Sequence, residues 1–366
     1  MNLGRKTAAA LLCAVVIFSG AAAAKGEESP GISAVSAVVM DAGSRTLLYS
    51  KECEKPMLVA STTKIMTALV VLENCALEET VEILPEYTGI EGSSVYLQAG
   101  EKLTVEDLLY CLMLKSGNDA AEALACHTAG SIEAFADMMN EKARELKCRD
   151  SFFENPHGLD GENHHSCAYD LALITACAME NPDFCRIVAT ESTTAAGRHM
   201  VNHNKLLKMY EGAVGVKTGY TKAAGRILVS AARRDGHTLI AVTISDPDDW
   251  KDHAALLDYG FSLFEERSLC AKGAVAYTLP VIGGTAEQAE ILFGSDIKCT
   301  LLGEESVKSE LFLPRFLYGG IKLGKKVGYV VYTLPDGSEL RCDLVCGQDI
   351  AKPAFEDFWA RAAALE

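Results

Sequence analysis

The sequence predicts an α/β domain built on an antiparallel sheet, followed by a small all-β domain. Three observations predict it. A strand pair near the start is followed by a long run of helical segments, and three strands with a closing helix complete that first part. This order brings both ends of the segment into one sheet with helices packed on it. Beyond about residue 268 the texture changes to short strands and glycine turns, the pattern of a separate β unit. A chain of 366 residues suits two domains.

Residues 1–24 read as a secretory signal peptide. Arg5 and Lys6 give a positive start, Ala8 to Ser19 is uncharged and apolar, and Ala21 to Ala24 supply small residues before Lys25. The run is short for a membrane span, and Cys13 sits in its middle, where no lipoprotein anchor would be. The formal charge is -16; removing Arg5 and Lys6 makes it -16 - 2 = -18. Such an acidic chain, with no basic stripe interleaved with aromatics, has no electrostatic reason to bind nucleic acid. With 49% hydrophobic and 23% charged residues, long disorder is excluded as well.

Residues 25–267 form the expected first domain. Ser33 to Met40 and Thr46 to Ser50 flank the turn Asp41-Ala42-Gly43-Ser44, a β-hairpin. Ser61 to Glu73 is apolar on nearly every side, hence a central buried helix. Val105 to Leu114 is a helix opened by Thr104-Val105-Glu106-Asp107, a capping-box start. Helices over Asn118 to Ala129, Ile132 to Leu146 and Ala168 to Met179 follow. The strands are Ala213 to Thr218, Gly225 to Arg233 and Thr238 to Ser245, the last two joined by Arg234-Asp235-Gly236 and so antiparallel. His253 to Phe264 closes the domain as a helix. In residues 268–350, strands Lys326 to Leu334 and Glu339 to Val345 flank Pro335-Asp336-Gly337. Residues 351–366 form a short tail helix, in which Phe355, Phe358, Trp359 and Ala362 make an apolar stripe.

Thirteen cysteines, twelve after the leader, include no Cys-x-x-Cys, and the chain is too long to need stapling. Cys111, Cys126 and Cys177 sit in apolar helical stretches as small hydrophobes. The expectation is mostly free thiols, with Cys342 and Cys346 the candidate pair for a bond.

Three motifs carry chemistry. Ser61-Thr62-Thr63-Lys64 puts a hydroxyl and an amine three residues apart on one helix face. Apolar neighbours Ile65, Ala68, Leu69 and Leu72 disfavour the charged amine, so Lys64 could take the Ser61 proton. About one Ser-x-x-Lys arises by chance in such a chain, so this motif alone reads as a helix cap sooner than as a nucleophile. Ser116-Gly117-Asn118, on a turn between helices, offers a proton relay and an amide. Lys217-Thr218-Gly219, followed by Tyr220 at a strand end, offers a cation and a hydroxyl for a carboxylate. The set, in this order, is what points to one site.

With these motifs the chain resembles the active-site-serine penicillin-recognising enzymes, and within them the D-alanyl-D-alanine carboxypeptidases, the low-molecular-mass penicillin-binding proteins. The resemblance extends to Asn155-Pro156-His157-Gly158-Leu159-Asp160 and Ala224-Gly225-Arg226, and covers residues 30 to 265, more faintly to 350. It implies a β-lactamase/transpeptidase-like fold: an antiparallel sheet with flanking helices and a helical subdomain. It also implies that Ser61 attacks a stem peptide ending in D-Ala-D-Ala with Lys64 as base. The Ser61 and Tyr220 amides would form the oxyanion hole. Ser116 would pass a proton to the leaving D-alanine, Asn118 would orient the acyl chain, and Lys217 and Thr218 would hold the terminal carboxylate. No cofactor or metal is implied, and β-lactams would acylate Ser61. The protein would act outside the cytoplasm, in the cell wall or on the outer face of the cytoplasmic membrane.

Some relatives carry an arginine after the last motif to help bind the carboxylate. Here that stretch, Ser245 to His253, is acidic, leaving Arg198 or Arg226 as substitutes. A class A-like β-lactamase shares the three motifs, but its Glu-x-x-x-Asn spacing is missing from Phe153-Glu154-Asn155-Pro156-His157-Gly158, which predicts slow release of penicillin. A non-catalytic wall-binding protein is the third reading, opposed by the intact Ser61, Lys64, Ser116 and Lys217. His157, His164 and His165 with Asp160 lack zinc-peptidase spacing, and His157 suits a backbone-satisfying role in its turn. The tail is a candidate for peripheral membrane contact or for packing on the β domain, although Glu356, Asp357 and Glu366 against Arg361 do not favour anionic lipid.

Overall fold

The structure, a computed structural model, describes residues 29–352 apart from Glu304 and Asp336. The expected leader and the tail from residue 353 onward lie outside the described residues. Two compact units divide between Leu263 and Phe264.

The first unit opens with β1 (Ser36–Asp41) and β2 (Leu47–Lys51), an antiparallel hairpin. Its turn is held by Asp41, whose carboxylate accepts from the Ser44 amide and hydroxyl at 2.8 Å each. A 3₁₀ turn, Ala60–Thr63, then runs into α1 (Lys64–Asn74), where every side chain from Lys64 to Val71 is buried. A helix this apolar all round belongs inside other helices. The ribbon β3 (Thr80–Glu82) with β4 (Lys102–Thr104) leads to α2 (Val105–Leu114), α3 (Asn118–Ala129), α4 (Ile132–Glu145), α5 (Ala168–Ala178) and α6 (Pro182–Ala189); α1 packs on the last five. The expected capping box is present: Thr104 Oγ1 accepts from the Asp107 amide at 3.1 Å, and the Asp107 carboxylate from the Thr104 amide at 3.4 Å.

A second ribbon, β5 (Ser192–Ala195) with β6 (Arg198–Val201), and the short α7 (Leu206–Met209) precede β7 (Ala213–Thr221), β8 (Gly225–Arg234) and β9 (His237–Ile244). The sheet runs β2-β1-β9-β8-β7, all antiparallel, so the two ends of the segment meet at β1 and β9 as the chain order predicted. Helix α8 (Asp249–Ser262) starts four residues before the expected His253, with Asp249 and Asp252 favourably placed in its first turn.

Both sheet faces are covered. Val38, Met40, Ile227, Val229, Ile240, Val242 and Ile244 join the helical core. The alternate residues Val39 and Leu239 face α8, where their methyl groups would crowd a Cβ on Gly260 at 3.0 and 2.7 Å. This two-sided burial explains why the strands read as nearly continuous apolar runs.

In the second unit β10 (Phe264–Cys270), β11 (Val275–Ile282), β12 (Gln288–Phe293), β13 (Ile297–Leu302), β14 (Lys308–Phe312), β15 (Leu317–Tyr318), β16 (Lys326–Thr333) and β17 (Glu339–Cys346) follow in turn. β10 pairs with β13, and the others form a six-stranded sheet, β14-β16-β17-β12-β11-β15. Its core includes Ile291, Val330, Leu344 and the thiols of Cys270, Cys342 and Cys346.

Those thiols correct one expectation. Cys342 and Cys346 are both free. They lie four residues apart on β17, about 13 Å along an extended strand, far beyond disulfide reach. Each sulfur contacts oxygen instead, Cys342 at Ser295 and Cys346 at the Gln348 carbonyl.

Candidate active site

Lys64 is the first residue of α1, and Ser61 sits in the 3₁₀ turn one turn before it. Lys64 is fully buried. Its Nζ lies 3.1 Å from Ser61 Oγ, 2.7 Å from Asn118 Oδ1 and 2.7 Å from the His157 carbonyl. Burial first, and then the nearby Lys217 charge, hold the Lys64 amine well below the usual lysine range. A neutral amine has two N–H donors and one lone pair. The Asn118 and His157 oxygens take the donors, which leaves the lone pair for the Ser61 hydroxyl proton.

The turn that bears the serine is braced from behind. Ala60 adopts φ 44, and Gly158 at φ 84 packs so closely that a Cβ there would stand 1.9 Å from the Ala60 carbonyl oxygen. Thr67 Oγ1 donates to the Pro156 carbonyl at 2.6 Å, fixing the same turn to α1.

Ser116 lies between α2 and α3, in the left-handed region at φ 61. Its hydroxyl is buried without a hydrogen-bond partner, a donor held ready beside the cleft. Asn118 opens α3; besides meeting Lys64, it donates to the Glu91 carbonyl at 2.6 Å. The neighbouring Asp119 is fully buried and accepts from the Ser94 hydroxyl and the Val95 and Leu97 amides, so it moulds the loop beside the cleft.

Lys217, Thr218, Gly219 and Tyr220 lie within β7, which runs on to Thr221 and so past the strand end expected at Thr218. β7 is the sheet edge. A Cβ on Gly219 would stand 3.3 Å from the Thr62 amide and the Val59 carbonyl, so glycine lets this strand lie against the nucleophile turn. Lys217 is 1% exposed, donates to the Thr218 carbonyl at 2.8 Å, and has its amine pushed down to about 7 by burial. Ser61, Ser116, Thr218, Gly219 and Tyr220 line one open cleft of about 600 Å³, with His203, Lys205 and Arg226 on its rim.

The two candidate arginines separate clearly. Arg198 is spent on the 95–101 loop, donating to the Val95 and Tyr96 carbonyls at 2.9 Å and to Glu101 at 3.0 Å. Arg226 lines the cleft opposite Tyr220 on β8, with its guanidinium clamped to Asp249 at 2.6 and 3.1 Å.

The three histidines go three ways. His157 Nδ1 accepts from the Leu159 amide at 3.2 Å, the backbone role expected of it. His164 bridges Thr63 and the Glu154 amide, and His165 bonds Asp150. Glu154 Oε1 accepts from the Asn163 amide at 3.2 Å and from its side-chain nitrogen at 3.3 Å. Sequence reading missed the His157 carbonyl as a lysine acceptor, and missed Asp119 and Gly158. The quoted Pro-His-Gly and Gly-Asn-Asp stretches held the signal, but no spacing rule says which carbonyl faces which amine.

The D-alanyl-D-alanine carboxypeptidase family profile matches residues 23–248. The D-alanyl-D-alanine carboxypeptidase DacF of Bacillus subtilis is 31% identical over 345 residues, 90% of this chain and 88% of that one. The Streptomyces K15 DD-transpeptidase structure is 36% identical, covering 65% of this chain and 100% of its own, with a TM-score of 0.61. Penicillin binding protein 5 of Haemophilus influenzae is 28% identical, covering 89% and 100%, with a TM-score of 0.63.

Proposed function

The chain belongs to the D-alanyl-D-alanine carboxypeptidase family, and from that premise we propose how its own residues carry the reaction. The enzyme is a penicillin-binding serine peptidase of the cell wall that removes the terminal D-alanine from peptidoglycan stems through an acyl-enzyme. Ser61 is the nucleophile and Lys64 the general base. The observation that carries this assignment is the buried amine itself, with two fixed acceptors and the serine hydroxyl as its third neighbour. Ser61 attacks the carbonyl between the two D-alanines as its proton passes to Lys64; the resulting ammonium then donates to all three neighbours. The Ser61 and Tyr220 amides receive the oxyanion, a role supported by the close approach of Gly219 to the nucleophile turn.

Ser116, with its unpartnered hydroxyl, relays the proton from Lys64 to the departing D-alanine nitrogen. Asn118 holds Lys64 through its oxygen and orients the acyl chain. Lys217 and Thr218 take the terminal carboxylate, and Arg226 supplies the second cation that the acidic Ser245 to His253 stretch does not. Water then hydrolyses the acyl-enzyme. With Glu154 turned to Asn163, that stretch offers no carboxylate to hasten penicillin release, in keeping with a carboxypeptidase over a β-lactamase.

Export through residues 1–24, a part in cell shape, and peripheral membrane contact through the 351–366 tail belong to the same proposal and rest on sequence pattern; no helix among the described residues is long and apolar enough to cross a membrane. The peptidase chemistry is assigned to residues 25–267, leaving 268–350 as a β domain outside it. The test is a time course of fluorescent penicillin labelling with Ser61→Ala alongside. Label lost in the variant and persisting in the wild type is expected; label that vanishes as free penicillin is hydrolysed would restore the β-lactamase reading.

A further inference from the structure

Three metal-ligating side chains converge at the far end of α1, about 16 Å along the helix from Lys64. Cys75 ends the helix, its amide closing on the Val71 carbonyl. Glu79 lies in the loop before β3, and His127 in the last turn of α3. One ligand atom from each lies within 4.8 Å of the other two. The donors are already oriented. Glu79 Oε1 accepts from the Ala76 amide at 2.7 Å, which turns Oε2 to His127 Nε2 at 3.0 Å. Cys75 Sγ lies 3.3 Å from Thr128 Oγ1, whose own proton goes to the Leu124 carbonyl at 2.8 Å.

We propose that Cys75, Glu79 and His127 form a binding site for a zinc-class divalent cation, with water as the fourth ligand. Thiolate, imidazole and carboxylate together suit zinc and disfavour calcium and magnesium, which take oxygen ligands. Bonds of about 2.0–2.3 Å in a tetrahedron set the donors about 3.3–3.8 Å apart, so the present triangle needs only side-chain rotation to close. Binding replaces the Cys75 thiol proton, which leaves to solvent, and breaks the Glu79–His127 hydrogen bond in favour of two metal bonds; nothing is oxidised or reduced. The ion would join α1 to α3 at their C-terminal ends, while Lys64 and Asn118 join the same helices at their N-terminal ends. Its role is therefore structural.

The experiment is a cobalt(II) titration of the reduced, purified protein, read in the near-ultraviolet and visible. A thiolate-to-cobalt charge-transfer band saturating at one equivalent is expected, absent from Cys75→Ser and His127→Ala and retained in Cys126→Ser. Zinc should protect Cys75, and not Cys126, from alkylation in peptide mapping. Penicillin labelling in each variant reports that the fold is intact. A band that survives Cys75→Ser, or no band at one equivalent, overturns the assignment.

Discussion

Replacing Gly158 with alanine tests whether the turn behind the nucleophile holds the general base in place. A Cβ at this position would lie 1.9 Å from the Ala60 carbonyl oxygen and 2.5 Å from its carbon, and both atoms are backbone. No rotamer relieves such an overlap, so one turn must move by more than an ångström. The left-handed conformation of Gly158 adds about 1–2 kcal/mol for a non-glycine residue, and overpacking about 1–3 kcal/mol. Together these lower the melting temperature by roughly 4–20 °C in a unit of this size. Activity suffers separately, because the adjacent His157 carbonyl holds Lys64 at 2.7 Å. A misplacement of about 1 Å in a catalytic group costs on the order of 100-fold in rate. The assay is the second-order rate of acylation by fluorescent penicillin, measured below the melting transition. Gly89→Ala is the control: its φ is 72, but no atom lies within 4 Å of the added methyl, so it isolates the conformational strain. If Gly158→Ala acylated as fast as Gly89→Ala, the bracing of Lys64 by this turn would be refuted.

Other outcomes follow from the same geometry. Acylation requires a neutral Lys64, so its rate rises with pH through that group; it also requires a cationic Lys217, so it falls as that amine deprotonates near about 7. Lys217→Arg should carry the alkaline limb of the pH profile upward, and an unmoved limb would assign it to another group. Arg226→Ala should raise KM for the peptide by roughly 10–100-fold, the loss of one charge-assisted contact, with kcat little changed; a fall in kcat at constant KM would remove Arg226 from carboxylate binding. Glu154→Gln should leave the lifetime of the penicilloyl-enzyme within roughly threefold, and a much longer lifetime would mean that its carboxylate assists deacylation after all. His157, His164 and His253 are held neutral by burial, down to about 3, 4 and 3, while the unfolded chain protonates near 6.5. The unfolded state then binds more protons below 6.5, so stability drops as pH falls from there toward 4; His253→Gln should flatten that slope in thermal melts.

The fold was legible where one pattern had one physical meaning. The apolar run after Ser61 could only be a central helix, and Thr104 with Asp107 announced the start of α2. Helix α6 escaped notice, although Asn181 caps it, Pro182 opens it and Phe184, Ile187 and Val188 follow i, i+3, i+4, because eight residues give only two turns in which to see the period. The two ribbons, with strands of three and four residues, are set by pairing across distant segments, which no local signal records. Ser61, Lys64, Ser116, Asn118 and Lys217 were named from their motifs and lie together. Asp119, the His157 carbonyl and the Arg226–Asp249 clamp act through tertiary contacts, and a sequence shows which groups exist but not which of them face each other.

The nucleophile stands where regular structure gives way. Ala60 at φ 44, Ser116 at φ 61 and Gly158 at φ 84 all occupy the left-handed region, and the first two carry side chains that disfavour it. Each lies just before a helix that carries catalytic groups or in the turn packed on one. Left-handed residues of this kind persist only when the surroundings over-determine them. Here the surroundings are the buried face of α1, the edge strand β7 against the Ser61 turn, and the Asp119 carboxylate holding three donors of the neighbouring loop. Lys64 would be costly to bury as a second cation beside Lys217, and the same dense packing that forces these backbones removes the water that would charge it. The strain, the burial and the lowered lysines are therefore one property: a core packed tightly enough to hold a serine turn out of shape is also dry enough to make its lysine a base.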